Sequence, residues 1–346
     1  MNSVAVKILV GSLICAVVAG VVLVGTIFGF WKFDEKESDK SVQVDEGELG
    51  YADLGRVVGE IDFAKMVEEG DPKAAMARLA EELKKNPALE NVCHGITHDI
   101  GHAAFEKYGF NDALMDFEDD ICGSGYMHGV TEEYLSTADD PLAAMLTACP
   151  AGYGACFHGV GHGLLLYYEN DIPKATAGCD MFEEVSEQVS CSEGIFMQNF
   201  SPDVQGSENE NLDPTAPLSP CDEQSDLHKS ACYFYAPRYF LNLHEREYEE
   251  AVEICLGAEE EYVGRCIRGI GSVTMKQNIG DLAFVEAVCL GVPEEHQNEC
   301  YGGLTGYYVI HSGSVKEAEK LCPMLNKKFQ TMCRGTVKGS AGFFGE

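Results

Sequence analysis

Positive charge is what this chain lacks most: 24 Lys and Arg stand against 57 Asp and Glu among 346 residues, a formal net charge of −33. A surface that acidic repels phosphate backbones, which excludes nucleic acid as a partner. A single tryptophan and the absence of any long Lys/Arg run remove the usual marks of a basic recognition surface. There is no C-x-x-C-H, so covalent c-type haem is excluded by motif. H-E-x-x-H, the P-loop, G-x-S-x-G and the EF-hand loop are missing as well. The chain is nevertheless 45% hydrophobic and only 23% charged, which excludes wholesale disorder.

What is present begins with an uncharged run from Ile8 to Trp31. Its 24 residues, at about 1.5 Å each, exceed the ~30 Å hydrocarbon core of a bilayer. Signal peptides have apolar regions of only about 7–15 residues, so residues 1–33 are expected to form an uncleaved transmembrane helix. Lysines flank the run on both sides, at Lys7 and at Lys32, Lys36 and Lys40, and leave its orientation open. Residues 34–52 are acidic, lack an apolar period and read as a solvated tether.

Fifteen cysteines point to disulfides, metal or both, and fourteen of them follow the apolar run. An even number suits pairing in an oxidising space, so the bulk of the chain is expected outside the cytoplasm, in a periplasm or at a cell surface. From Cys221 onward the gaps between cysteines run 11, 23, 11, 23, 11, 22 and 11. Cys149, Cys156, Cys179 and Cys191 carry the same beat earlier, as do the words CGSG, CFHG, CSEG, CIRG and CYGG. A unit of about 34 residues therefore repeats, the size of one helix-turn-helix solenoid unit.

Each unit is read as a helix A opening with C-x-x-G, a turn, and a helix B ending near the second cysteine. Asp171, Asp281 and Ser314 stand where helix B needs an N-cap. Local pairing follows from the spacing: Cys149–Cys156, Cys179–Cys191, Cys221–Cys232, Cys255–Cys266, Cys289–Cys300 and Cys322–Cys333. Cys93 and Cys122 are left over, and two uses are open: a seventh disulfide, or thiolates on a metal. The expected fold is all-α, a right-handed solenoid of about seven units over residues 53–346, stapled by disulfides. Residues 53–92 look like a cysteine-free capping unit, and residues 201–220 like an inserted loop.

This arrangement resembles disulfide-stapled Sel1-like repeats, relatives of the tetratricopeptide repeats, over about residues 89–340. CIRGIGSVTM and CYGGLTGYY match the Leu-Gly and downstream Tyr of that pattern loosely. The resemblance implies an α-solenoid with a role in protein contacts on its concave face, and carries over no catalytic residue.

Histidine supplies the chemistry. Six of the ten, His94, His98, His102, His128, His158 and His162, lie within ten residues of Cys93, Cys122 or Cys156, where random placement would put about one. HDIGH at 98–102 and HGVGH at 158–162 share one pattern, and later units carry Ser272 and Gly306 in the register of His128 and His162. The repeat therefore does not need histidine in order to fold. On a helix, residues four apart share a face, so H-x-x-x-H offers two imidazoles side by side. Imidazole suits Zn, Cu and Fe, and such a transition metal is the expected cofactor of units 89–187. With neighbouring helices about 8–10 Å apart, His98 and His102 with His128, or His128 with His158 and His162, are the reachable sets. First and third units are too distant unless the superhelix curls tightly. Asp99, Glu106, Glu132 and Glu133 are near enough to support the ligands. His228, His244, His296 and His311 lie in separate units and are read as surface residues. The leading expectation is a membrane-anchored metal-binding protein, with no reaction assigned. The competing one is a scaffold for protein contacts whose histidines pack and hydrogen-bond.

Overall fold

The structure, a computed structural model, describes residues 57–58, 61–86, 89–90, 92–117, 119, 121–200, 209–243 and 247–340. The apolar run and the acidic tether lie outside the described residues, as does 201–208 of the loop. Among the described residues no helix is long and apolar enough to cross a membrane.

The described chain is helical, apart from a two-residue antiparallel pairing of β1 (Val57–Val58) with β2 (Ile61–Asp62). Two helices without cysteine follow, α1 (Phe63–Glu69) and α2 (Pro72–Lys85). Next come the repeated pairs: α3 (Cys93–Tyr108) with α4 (Phe110–Asp116), α5 (Ile121–Thr137) with α6 (Pro141–Ala148), and α7 (Gly154–Tyr167) with α8 (Ile172–Cys179). The fourth A helix, α9 (Val185–Asn199), has a loop where its B helix would be. Asn209 and Asn211 tie the described part of that loop down, donating to Asn199 and, from Asn211, to the carbonyl of Asn170. The series continues with α10 (Asp226–Tyr235), α11 (Pro237–Leu243) and α12 (Tyr248–Leu256), then α13 (Val263–Gln277) with α14 (Leu282–Gly291). It ends with α15 (Gln297–Ser312), α16 (Val315–Ala318) and α17 (Gln330–Gly339).

The B helices start where capping chemistry puts them. Asp140, Asp171 and Asp281 each accept from the backbone N–H three residues on, as Asp71 does for α2, and Ser314 caps α16 in the same way. Proline at the first turn of α2, α6 and α8 adds a preset φ without losing a hydrogen bond. Helix A opens within two residues of its cysteine in α3, α5 and α7, as expected, but α9 and α10 begin six residues before their cysteines and α13 and α15 three before. The motif thus lies inside the helix, and its glycine serves packing rather than termination.

That packing is backbone on backbone. A Cβ on Gly129 would collide with the carbonyl of His98, and one on Gly101 would meet Val130 N at 2.8 Å. Gly161 and Gly194 play the same reciprocal part between α7 and α9, against the carbonyls of Cys191 and His158. Removing the side chains lets successive A helices touch along their inner faces, so the superhelix curls more tightly than 8–10 Å spacing allows. The curl is tight enough for α15 to return to α5: His311 and Tyr307 bond to Glu90 at 2.7 and 3.2 Å, and Ile310 faces Gly123. Seven disulfides hold the described units, six of them the local pairs that the spacing predicts and the seventh Cys93–Cys122.

Candidate metal centre

His94, His98 and His102 recur every four residues on α3, and the close contact at Gly101 and Gly129 turns that stripe onto α5. Here α5 supplies His128 and Glu132, while α7 supplies His158 and His162. His98, His128, His162 and Glu132 are buried, with 4% or less of each exposed. The start of α5 is irregular: Cys122, Gly123 and Ser124 all have positive φ, between 56° and 70°. Left-handed backbone at a cysteine and a serine costs about 1–2 kcal/mol each. It turns the Cys122 carbonyl toward α3, where it accepts the Nδ1 proton of His94 at 2.8 Å.

Two groups of donor atoms come together: His94, His128 and His162 form one, and His98, His102 and Glu132 the other, with all atoms of a group within 4.8 Å of one another. Proton bookkeeping decides how they work. Burial pushes the Glu132 carboxyl up, but His98 together with the hydrogen bonds from His102 and His98 holds it well below its ordinary range, so it is a carboxylate. A carboxylate only accepts. Its Oε2 therefore takes a proton from His98 Nδ1 at 3.0 Å and from His102 Nε2 at 3.0 Å. The remaining nitrogen of His98, Nε2, points away from Glu132 toward His94. His94 has committed its Nδ1 proton to Cys122, so its Nε2 is an acceptor, and it lies 3.1 Å from His98 Nε2.

His162 donates Nδ1 to Gln198 Oε1 at 2.6 Å, and its buried Nε2 has no partner among the described residues. His128 Nδ1 is 3.4 Å from His94 Nε2. Two imidazole nitrogens this close need a proton or a metal ion between them. Burial disfavours the imidazolium form: it pushes His94 and His128 well below the usual imidazole range and His162 down to about 4, so each of these rings keeps one N–H and one lone pair. A metal ion meets the same demand, and neutral nitrogen donors suit Zn, Cu or Fe rather than Ca or Mg. His94, His128 and His162, with His98 Nε2 beside them, could hold such an ion, and Glu132 fixes the His98 and His102 rings by hydrogen bonds.

No known protein family matches this chain, and neither does any curated protein or solved structure. The helix pairs and disulfides are compatible with an α-repeat architecture.

Of the six predicted histidines, His94, His128 and His162 share one group, His98 and His102 the other, and His158 stands in neither. His158 packs its ring on His128 at 4.7 Å and puts Nε2 3.2 Å from Met197 Sδ. The reachable sets drawn from 8–10 Å spacing were too narrow. Units one and three do meet, because glycine contacts tighten the curl. One histidine read as a surface residue is not: His228 is buried, with Nδ1 on Ser192 Oγ at 3.1 Å and Nε2 3.2 Å from Asp180, whereas His311 is exposed as expected and bonds the buried Glu90. His296 begins the turn of α15 and His244 lies outside the described residues. Sequence reasoning did not single out Gln198 and Met197. Met197 carries a signal in hindsight, since it stands six past Cys191, in the register of His128 and His162.

Proposed function

We propose that this chain is a membrane-anchored, extracytoplasmic α-repeat protein that binds a transition metal ion, Zn, Cu or Fe, through His94, His128 and His162. The observation that carries the reading is the convergence of imidazole nitrogens from three successive repeats, the buried and unpartnered Nε2 of His162 among them. A structural histidine cluster would close its hydrogen bonds internally, and this one leaves the buried Nε2 of His162 without a partner among the described residues. The long apolar run supports the anchor, and the disulfides support an oxidising compartment. A scaffold presenting its concave face to a protein partner is the competing reading, and it gives no use for that nitrogen.

Elemental analysis of the full chain, purified in detergent with its disulfides intact, tests the proposal. About one Zn, Cu or Fe per chain is expected, lost in His162→Ala while the helical circular dichroism is retained. Wild-type protein that holds no metal after reconstitution overturns the reading.

A further inference from the structure

The register six residues past the cysteine of helix A carries His128 on α5, His162 on α7 and Met197 on α9. Backbone contact at Gly161 and Gly194 seats α7 directly against α9, so Met197 comes beside the histidines of α7. Its side chain is buried, 8% exposed, and its sulfur lies 3.2 Å from His158 Nε2. The His158 ring stacks on His128, with centroids 4.7 Å apart and planes 25° from parallel, and its centroid is 5.0 Å from that of His162. His158 and Met197 therefore adjoin the nitrogen centre and share a wall with it, yet belong to neither of its groups.

We propose that His158 Nε2 and Met197 Sδ form a second, soft metal site that takes a single Cu(I) ion. A thioether is a weak hydrogen-bond acceptor, whereas an imidazole nitrogen and a thioether together are a ligand set that selects Cu(I), an ion content with few ligands. Charge argues the same way. The Arg238 guanidinium lies over Tyr235 at 5.0 Å, and the Tyr235 ring is 6.3 Å from that of His158. Coulomb repulsion from a nearby cation is twice as large for a divalent ion as for a monovalent one. The nitrogen centre, with Glu132 behind it, is the place for the divalent ion, and the sulfur-bearing site for the monovalent one. This inference extends the metal reading but can fail while the nitrogen centre stands.

The test is an anaerobic Cu(I) titration of the full chain against a chromophoric Cu(I) chelator, with the protein first loaded with Zn(II). Wild type is expected to keep its zinc and take one further Cu(I) per chain. Met197→Leu, close to isosteric, is expected to keep zinc and helical content and to bind that Cu(I) at least tenfold more weakly. Zinc-loaded wild type that takes no Cu(I), or a leucine variant that takes it equally well, overturns the site. Should zinc itself not bind, the nitrogen centre falls, and the same comparison on the unloaded chains still decides the Cu(I) site.

Discussion

A histidine whose Nδ1 proton is committed to an oxygen has one lone pair left, and its direction decides what the residue does. Cys122 fixes that choice for His94, Glu132 for His98 and Gln198 for His162. Glu132→Gln is expected to keep the metal stoichiometry but to lower affinity about 10- to 100-fold, measured by chelator competition. The acid response of the metal-free chain follows from the same burial. The unfolded chain protonates histidine near pH 6.5, while folded His162 resists until about 4. Between those values the unfolded state binds more protons, so stability falls as pH drops, by roughly 3 kcal/mol for this residue alone. Glu132, held below its ordinary range, adds loss in the same direction once pH falls below about 4.5. His102 works oppositely: although burial lowers it, the hydrogen bond to Glu132 raises it overall, and its contribution fades as pH rises above 6.5. Urea unfolding of metal-free protein at pH 7 and pH 5 should therefore show a lower midpoint at pH 5. Sequence proximity offered four carboxylates as supports for the ligands, and only the meeting of α3 with α5 selects Glu132 among them.

Between elements, the glycines inside helix A matter more than those at its ends. Each costs about 1 kcal/mol of helix propensity against alanine, which makes a glycine-rich A helix a poor helix in isolation. The return is close approach, and the histidine stripes converge because of it. Gly194→Ala would drive a methyl group into the His158 carbonyl. The cost is expected to be about 1–3 kcal/mol, seen as a lower thermal midpoint, with α7 and its histidines displaced and metal affinity reduced. Gly95→Ala, where a Cβ meets nothing within 4 Å, is the matched control and should be neutral or slightly stabilising. Caps of helix B were legible, because Asp or Ser followed by a helical period is a local signal. The true starts of helix A were not, since the cysteine that marks the repeat lies three to six residues inside α9, α10, α13 and α15.

At the scale of the whole repeat region, local staples and one long-range seam divide the work. Six disulfides close segments of 7 to 12 residues, and each is worth about 2–3 kcal/mol by loop entropy. Replacing Cys289 and Cys300 together by serine should cost about that much in urea unfolding and leave the metal count unchanged, since neither cysteine belongs to the two donor groups. The seam is different. Glu90 accepts from Tyr307 and His311, more than two hundred residues along the chain, and borders a cavity of about 610 Å³ that Leu83, Ile121, Ile279 and Ile310 also line.

The sequence by itself determined the helical repeat, its period, the local cysteine pairs and the three units that carry the clustered histidines. Each of these is written in residues at most a few tens of positions apart. Only the tertiary structure decided which nitrogens converge, that Glu132 holds His98 and His102, that Met197 reaches His158, and that the last units close onto Glu90. Those outcomes depend on how far the superhelix turns per unit. That angle comes from backbone contacts at Gly101, Gly129, Gly161 and Gly194, summed over successive units, and no local pattern encodes the sum.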